Sequence, residues 1–256
     1  MFTSTLTVPE HALGGLLGAQ PITQVMGSSF QKIGYTGSYG AGWSFGGALV
    51  SELRPVSDAY NDARASAIQR LHEEAHRAGA DAVVAVRTNR ARRDFAGDAV
   101  EFTVIGTAVR LPGVGRGGGL ALTNLSGQDH YLLLRAGWRP VGLVAATSVF
   151  YVQASWRTQR LTSGWGQWQN AELRDFTRGV YEARERALQR VTDQAERLRA
   201  AGVVGVSIEQ EQHVVERGNG GGGSRRDLIV TFHVTGTAIA GGGGSVPVRP
   251  VVRRNS

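Results

Sequence analysis

The segment His72-Glu73-Glu74-Ala75-His76 satisfies H-E-x-x-H, and Gly79 follows at the spacing of a longer zinc-protease signature. Two imidazoles one helical turn apart can grip a zinc ion while the intervening glutamate activates a metal-bound water. The pattern stops there. Ten residues after His72, where a third ligand would stand, the chain has Ala82, and Asp81 is one position out of register. On a helix, His72 and His76 lie about 100° and about 140° from the apolar stripe centred on Leu71, with Glu73 near the solvent pole. We therefore read no catalysis from this match and expect no enzyme. His72 and His76 remain the best ligand pair for a divalent metal, at an interface or held without catalysis.

Two other constellations carry chemistry on paper. Gly113, Gly115 and Gly118 spell G-x-G-x-x-G, but a dinucleotide fingerprint needs a strand before it and a helix directly after it. Leu120–Leu125 follows without a helical stripe, so the glycines read as a linker. Further on, Phe150, Tyr151, Trp156, Arg157, Arg160, Trp165 and Trp168 interleave aromatic faces with cations, as single-stranded nucleic acid or an aromatic ligand would require. An earlier stretch answers with Phe30, Tyr35, Tyr39, Trp43 and Phe45 but few cations. A connection that is aromatic in both places reads better as packing or an interface. Trp156, Arg157, Arg160, Trp165 and Trp168 are thus a candidate protein-interaction surface, and nucleic acid is not an expected partner. Nothing fixes a nucleophile beside a base.

These residues sit on a chain of 256 residues with no cysteine, which leaves His, Asp and Glu as the available metal ligands. The net charge of +7 is almost all arginine, with Lys32 the one lysine. A GC-rich genome explains that bias as readily as a phosphate ligand does, and charge alone speaks to non-specific attraction. No run approaches the roughly 18 apolar residues of a membrane span, so a cytoplasmic protein with no membrane partner is expected.

What positions these residues is a duplication. Ala63-Arg64, Ala67-Ile68-Gln69-Arg70, Ala75 and Val83-Val84-Ala85-Val86 recur as Ala183-Arg184, Ala187-Leu188-Gln189-Arg190, Ala195 and Val203-Val204-Gly205-Val206. Each copy closes on the same word, Gly106-Thr107-Ala108-Val109 and Gly236-Thr237-Ala238-Ile239. Towards the N-terminus the match continues from His11, Gly18, Pro21 and Ser29 to His130, Gly137, Pro140 and Ser148. The repeat also tests motifs: His72 and His76 become Thr192 and Glu196 in the second copy, whereas His11 and His130 match and so read as structural. His213 and His233 have no counterparts and are read as ordinary strand residues.

The periodicities predict the same elements twice. Strands are expected at Ile22–Ile33 and Val141–Val152, and long helices at Leu53–Ala78 and Leu173–Ala200. Strands follow at Ala82–Val86 and Val203–Ile208, and return at Val100–Val109 and Leu228–Ile239. The fold class is α+β: two tandem β-α-β-β units, each an antiparallel sheet covered by one long helix. The units span 1–111 and 120–240, with a Gly-rich linker at 112–119 and a disordered Gly/Pro/Arg tail at 241–256. Ten extra residues in the second copy are expected as a flexible hairpin extension at Gly218–Ser224.

The helix with its Ala-Arg and Ala-Ile-Gln-Arg-Leu words, the following Ala78-Gly79-Ala80-Asp81-Ala82-Val83-Val84-Ala85-Val86, and the closing Gly106-Thr107-Ala108-Val109 resemble the YbjQ family, often labelled heavy-metal-binding. The resemblance is strong over Ala59–Val109 and degenerate in the second copy. It implies dodecin-like units and a pentameric ring; a tandem chain would place ten units in a homopentamer, most simply as two stacked rings. The function expected is a non-enzymatic, ring-forming binding or scaffold protein, with a metal-ion-binding protein using His72 and His76 as the alternative.

Overall fold

Pro55 sits in the first turn of the longest helix of the first copy, where its missing N–H costs nothing, and Gly79 follows the helix end with φ +70°. Between them runs α2, Arg54–Arg77, which in this computed structural model buries Tyr60, Ala63, Ala67, Leu71 and Ala75 along one face. The structure describes residues 3–16, 18–33, 50–93, 99–111, 119–162, 170–219 and 223–241. The alanines let the helix lie close on the sheet: a Cβ on Gly27 would come within 2.0 Å of the Ala67 carbonyl oxygen.

The first copy contributes α1 (Val8–Leu16), β1 (Gln20–Lys32), β2 (Val50–Glu52), α2, β3 (Ala82–Arg93) and β4 (Ala99–Arg110). The second contributes β5 (Ala121–Leu122), α3 (Gly127–Arg135), β6 (Trp138–Val152), α4 (Trp156–Thr162), α5 (Arg174–Arg197), β7 (Gly202–Asn219) and β8 (Gly223–Gly241). Each copy thus holds the expected β-α-β-β unit, preceded by a nine-residue helix that periodicity did not reveal.

Both sheets have four strands, and neither is made by one copy alone. Their orders are β1-β4-β3-β5 and β2-β6-β8-β7. The first copy's β2 pairs antiparallel with β6 of the second, and the second copy's β5 pairs parallel with β3 of the first. Residues 112–118 lie outside the described residues, so the expected linker is not placed. It separates the sequence repeats but not the sheets. One core joins α2, β1, β3 and β4 with Val149 and Tyr151 of the second copy, and the other centres on α5, β6 and β8.

The second hairpin carries the expected extension. Pairing continues to Gly218↔Ser224 and Asn219↔Gly223, so the described part of the insertion lengthens β7 and β8. Residues 220–222 lie outside the described residues, as does 242–256, which holds nearly all of the expected tail. Among the described residues no helix is long and apolar enough to cross a membrane.

Candidate functional site

A connected set of buried polar side chains among the described residues lies along the seam between the two copies. After β2, Leu53 N–H donates to the Val149 carbonyl at 2.8 Å, and Val149 N–H donates to Ser57 Oγ at 2.9 Å. One turn on, Asn61 clasps the Thr147 backbone, donating to its carbonyl at 3.0 Å and accepting from its N–H at 2.8 Å. Another turn on, the Arg64 guanidinium donates to Thr147 Oγ1 and, at 3.1 Å, to Asn61 Oδ1. Residues 53, 57, 61 and 64 share one helix face, so α2 reads the free edge of β6 like a comb.

The reciprocal contact uses the stretch around β5. Thr123 N–H donates to the Val83 carbonyl at 3.0 Å, and Val86 N–H to the Thr123 carbonyl at 2.9 Å. On its other side Thr123 Oγ1 bonds Thr237 Oγ1 at 2.9 Å, and Asn124 N–H donates to Thr237 Oγ1 at 3.1 Å. The first copy repeats only this second half: Ser4 Oγ lies 3.3 Å from Thr107 Oγ1, and Thr5 N–H donates to it at 2.9 Å. The repeated Gly-Thr-Ala word is thereby explained. Its threonine is the socket for the segment leading into each copy, and a Cβ on Gly106 or Gly236 would come within 2.5 or 2.7 Å of Cγ1 of Val83 or Val203.

Arg64 and His233 meet at this seam. Arg64 is 3% exposed and stacks 5.2 Å over the Phe102 ring. Burial, then the charge of Arg90, lowers its pKa to about 9, so it stays charged at neutral pH. His233 is buried with Nδ1 2.8 Å from Thr147 Oγ1, and burial with the charges of Arg90 and Arg64 pushes it down to about 2. Arg90 bridges the copies in ion pairs with Glu209 at 2.6 Å and Glu211 at 2.5 Å. From sequence His233 reads as an ordinary strand residue, with no counterpart in the first copy to mark it. Arg64 did carry a signal, as a charge inside a repeated word beside a buried alanine.

The residues singled out from sequence lie elsewhere. His72 and His76 are exposed on α2 around buried Ala75, and His72 lines a groove of about 680 Å³ with Asp58, Asp62, Asp193 and Arg190. Among the described residues no group of three or more His, Cys, Asp or Glu side chains could hold a metal ion. Trp156, Arg157 and Arg160 are exposed on α4, which Asp175 anchors by accepting from Thr158 Oγ1 at 2.5 Å and Ser155 N–H at 3.0 Å. Phe150 and Tyr151 of the same run are buried in the two cores, and Trp165 and Trp168 lie outside the described residues. The matched pair His11 and His130 differs in setting: His11 is exposed, whereas His130 is buried and burial lowers its pKa.

Comparison with known proteins places the chain. A family model described as putative heavy-metal-binding, YbjQ, matches twice, over residues 14–112 and 140–240. The Encapsulin nanocompartment protein Rv1762c of Mycobacterium tuberculosis (strain ATCC 25618 / H37Rv) is 35% identical over 261 aligned residues, spanning 97% of this chain and 89% of that protein. A UPF0145 protein of Lacticaseibacillus casei (strain BL23) is 34% identical over 90 residues, 35% of this chain and 80% of that protein. No solved structure matches. With two tandem regions matched over most of its length, the chain belongs to the YbjQ family.

Proposed function

We propose that the chain is a non-enzymatic binding and scaffold protein of the cytoplasm that joins copies of itself head to tail into a closed ring. The observation that carries this reading is that the repeat counterparts of buried seam residues are exposed, one set in each copy. Val149 and Val86, both buried in the seam, correspond by the repeat to Phe30 and Val206, which are 54% and 45% exposed. Asn61 and Arg64 correspond to Tyr181, 65% exposed, and to exposed Arg184. The β1 edge and the Thr3–Leu6 segment of one copy thus match what the α5 face and β7 edge of another lack. Such a contact is heterologous, and it closes into a ring when its rotation divides a full turn. Large apolar side chains on unpaired edges also need covering.

Five chains is the number the family resemblance implies. In this reading each chain fills two consecutive places, so the ten units of five chains form one ring of ten places with the seams side to side, in place of two stacked rings of five. Light scattering on the purified full chain tests it: a homopentamer has five times the mass of the 27.3 kDa chain. A monomer at micromolar concentration rejects the ring. The relative named for an encapsulin nanocompartment supports a protein shell as partner. Trp156, Arg157 and Arg160, with Trp165 and Trp168, are the surface we assign to it. Co-purification with a co-expressed encapsulin shell, lost in Trp156→Ala with Arg160→Ala, checks that assignment.

The family description and the i,i+4 spacing of His72 and His76 favour a second reading, in which this pair binds a divalent metal on the helix face. Calorimetric titration with zinc, nickel and copper decides it, because an isotherm unchanged in His72→Ala plus His76→Ala removes the pair.

A further inference from the structure

Between the sheets of the two copies lies a cavity of about 300 Å³, whose walls include Arg64, Arg87, Arg90, Phe102, Glu209 and His233. Arg90 is answered by two carboxylates. Arg64 is not: its hydrogen bonds go to the neutral oxygens of Asn61 and Thr147, and among the described residues no carboxylate pairs with it. A guanidinium offers five N–H donors, and a charge this buried is costly without a counter-charge.

His233 supplies an independent observation. Its Nε2 is buried and has no partner, although the side chain lines the cavity. Thr147 Oγ1 accepts from Arg64, and its own proton can go to His233 Nδ1, 2.8 Å away. A neutral imidazole that accepts at Nδ1 carries its hydrogen on Nε2. The cavity therefore holds a buried cation without a counter-charge and, in that tautomer, a buried N–H donor, neither answered among the described residues. A metal ion does not fit, because two guanidiniums beside the ring repel a bound cation as they repel the ring's second proton.

We infer that this cavity is an anion-binding site for a small molecule bearing a carboxylate or phosphate group, whose oxygens accept from the Arg64 fork and from His233 Nε2–H. Guanidinium matches either oxyanion in bidentate geometry. The site is private to the internal seam. At the corresponding places the first copy has Ser28 and Thr103, and the second has Gln210 in place of Arg90. It does not depend on the ring, since every wall belongs to one chain.

The test titrates the full chain with inorganic phosphate and, separately, with succinate, at ionic strength held constant with sodium chloride. Calorimetry is read alongside the ring-nitrogen resonances of 15N-histidine-labelled protein. We expect saturable binding of at least one probe at one site per chain, with movement of the His233 Nε2–H signal. Which probe saturates tells phosphate from carboxylate. His233→Phe should weaken binding at least tenfold, and Arg64→Met should abolish it. Should the methionine variant fail to fold, Arg64→Lys keeps the charge without the fork and should weaken binding at least tenfold. No saturable binding of either probe, an unmoved His233 signal at saturation, or equal affinity in the His233 and Arg64 variants overturns the site.

Discussion

The edges of β3 and β7 occupy equivalent places in the two copies, yet among the described residues a strand covers only the first. Beside β3 lie Ala121–Leu122 and Thr123, and Val86 is buried there. Beside β7 nothing described pairs, and Val206, Ile208 and Val214 are exposed. The same chemistry was thus spent once inside the chain and left available once outside it. A repeat that has captured its own neighbour shows what its free end would accept.

Charge insertion should break that equivalence most sharply. Val86→Glu or Val149→Glu buries a carboxylate in the internal seam, which costs several kcal/mol and should leave little folded protein by circular dichroism. Val206→Glu with Phe30→Glu makes the matching change on the exposed faces. It should leave the thermal midpoint within a few degrees while light scattering falls to the monomer mass. Equal loss of folding in both pairs would show that Phe30 and Val206 serve the chain's own fold and not a contact between chains.

The next effect separates the copies by pH. The folded-state pKa of His233 is about 2, against 6.5 for an ordinary imidazole, so between those values the unfolded chain binds one more proton. Stability from this group is full above pH 6.5 and falls as pH drops through the window, at about 1.4 kcal/mol per pH unit. Urea titrations from pH 6.5 to 4.5 should show that slope. His233→Thr, which gives the second copy the first copy's residue, should remove that share of the slope and leave the share of His130, whose pKa burial also lowers; an unchanged slope assigns it to other groups.

The two closing glycines should respond alike. Gly106→Ala and Gly236→Ala each press a Cβ against a valine methyl, and overpacking of this kind costs about 1–3 kcal/mol. A cost in only one, measured as a denaturant midpoint, would show that the sockets differ. The smallest contrast is at the register shift that each copy carries, between Val84 and Arg87 in β3 and between Val204 and Ser207 in β7, where Ala85 has φ 53° and Gly205 has φ 60°. Ala85→Gly should gain up to about 1 kcal/mol by relieving left-handed strain. Gly205→Ala should lose stability, because its Cβ would come within 2.5 Å of Leu125 Cδ2.

Much of the fold was legible because the repeat wrote it twice. The β-branched runs gave β1, β4, β6 and β8, and the apolar stripe gave α2 and α5, with His72 and His76 turned outward as their angles from Leu71 require. The exchanged strands were not legible. Val50-Ser51-Glu52 and Ala121-Leu122 are too short to show a period, and which sheet an edge joins is a tertiary fact. The insertion was legible as a hairpin extension because Gly218 to Ser224 is mostly glycine between two strand runs, and its flanks do pair across the hairpin. The seam chemistry was half legible. Arg64 recurs as Arg184, but His233 has no echo, and a residue unique to one copy gives a repeat-based reading nothing to compare.

The exchange of β2 and β5 also orders the birth of the molecule. During synthesis the first copy emerges with the edge of β3 bare and with Val50–Glu52 lacking the strand it is meant to join. Neither is satisfied until the second copy leaves the ribosome. A nascent chain of this kind is exposed to a neighbour on the same messenger during that interval. The stretch from Leu111 to Leu120, by holding the awaited partner close at hand, favours completion in cis over entanglement with another nascent chain.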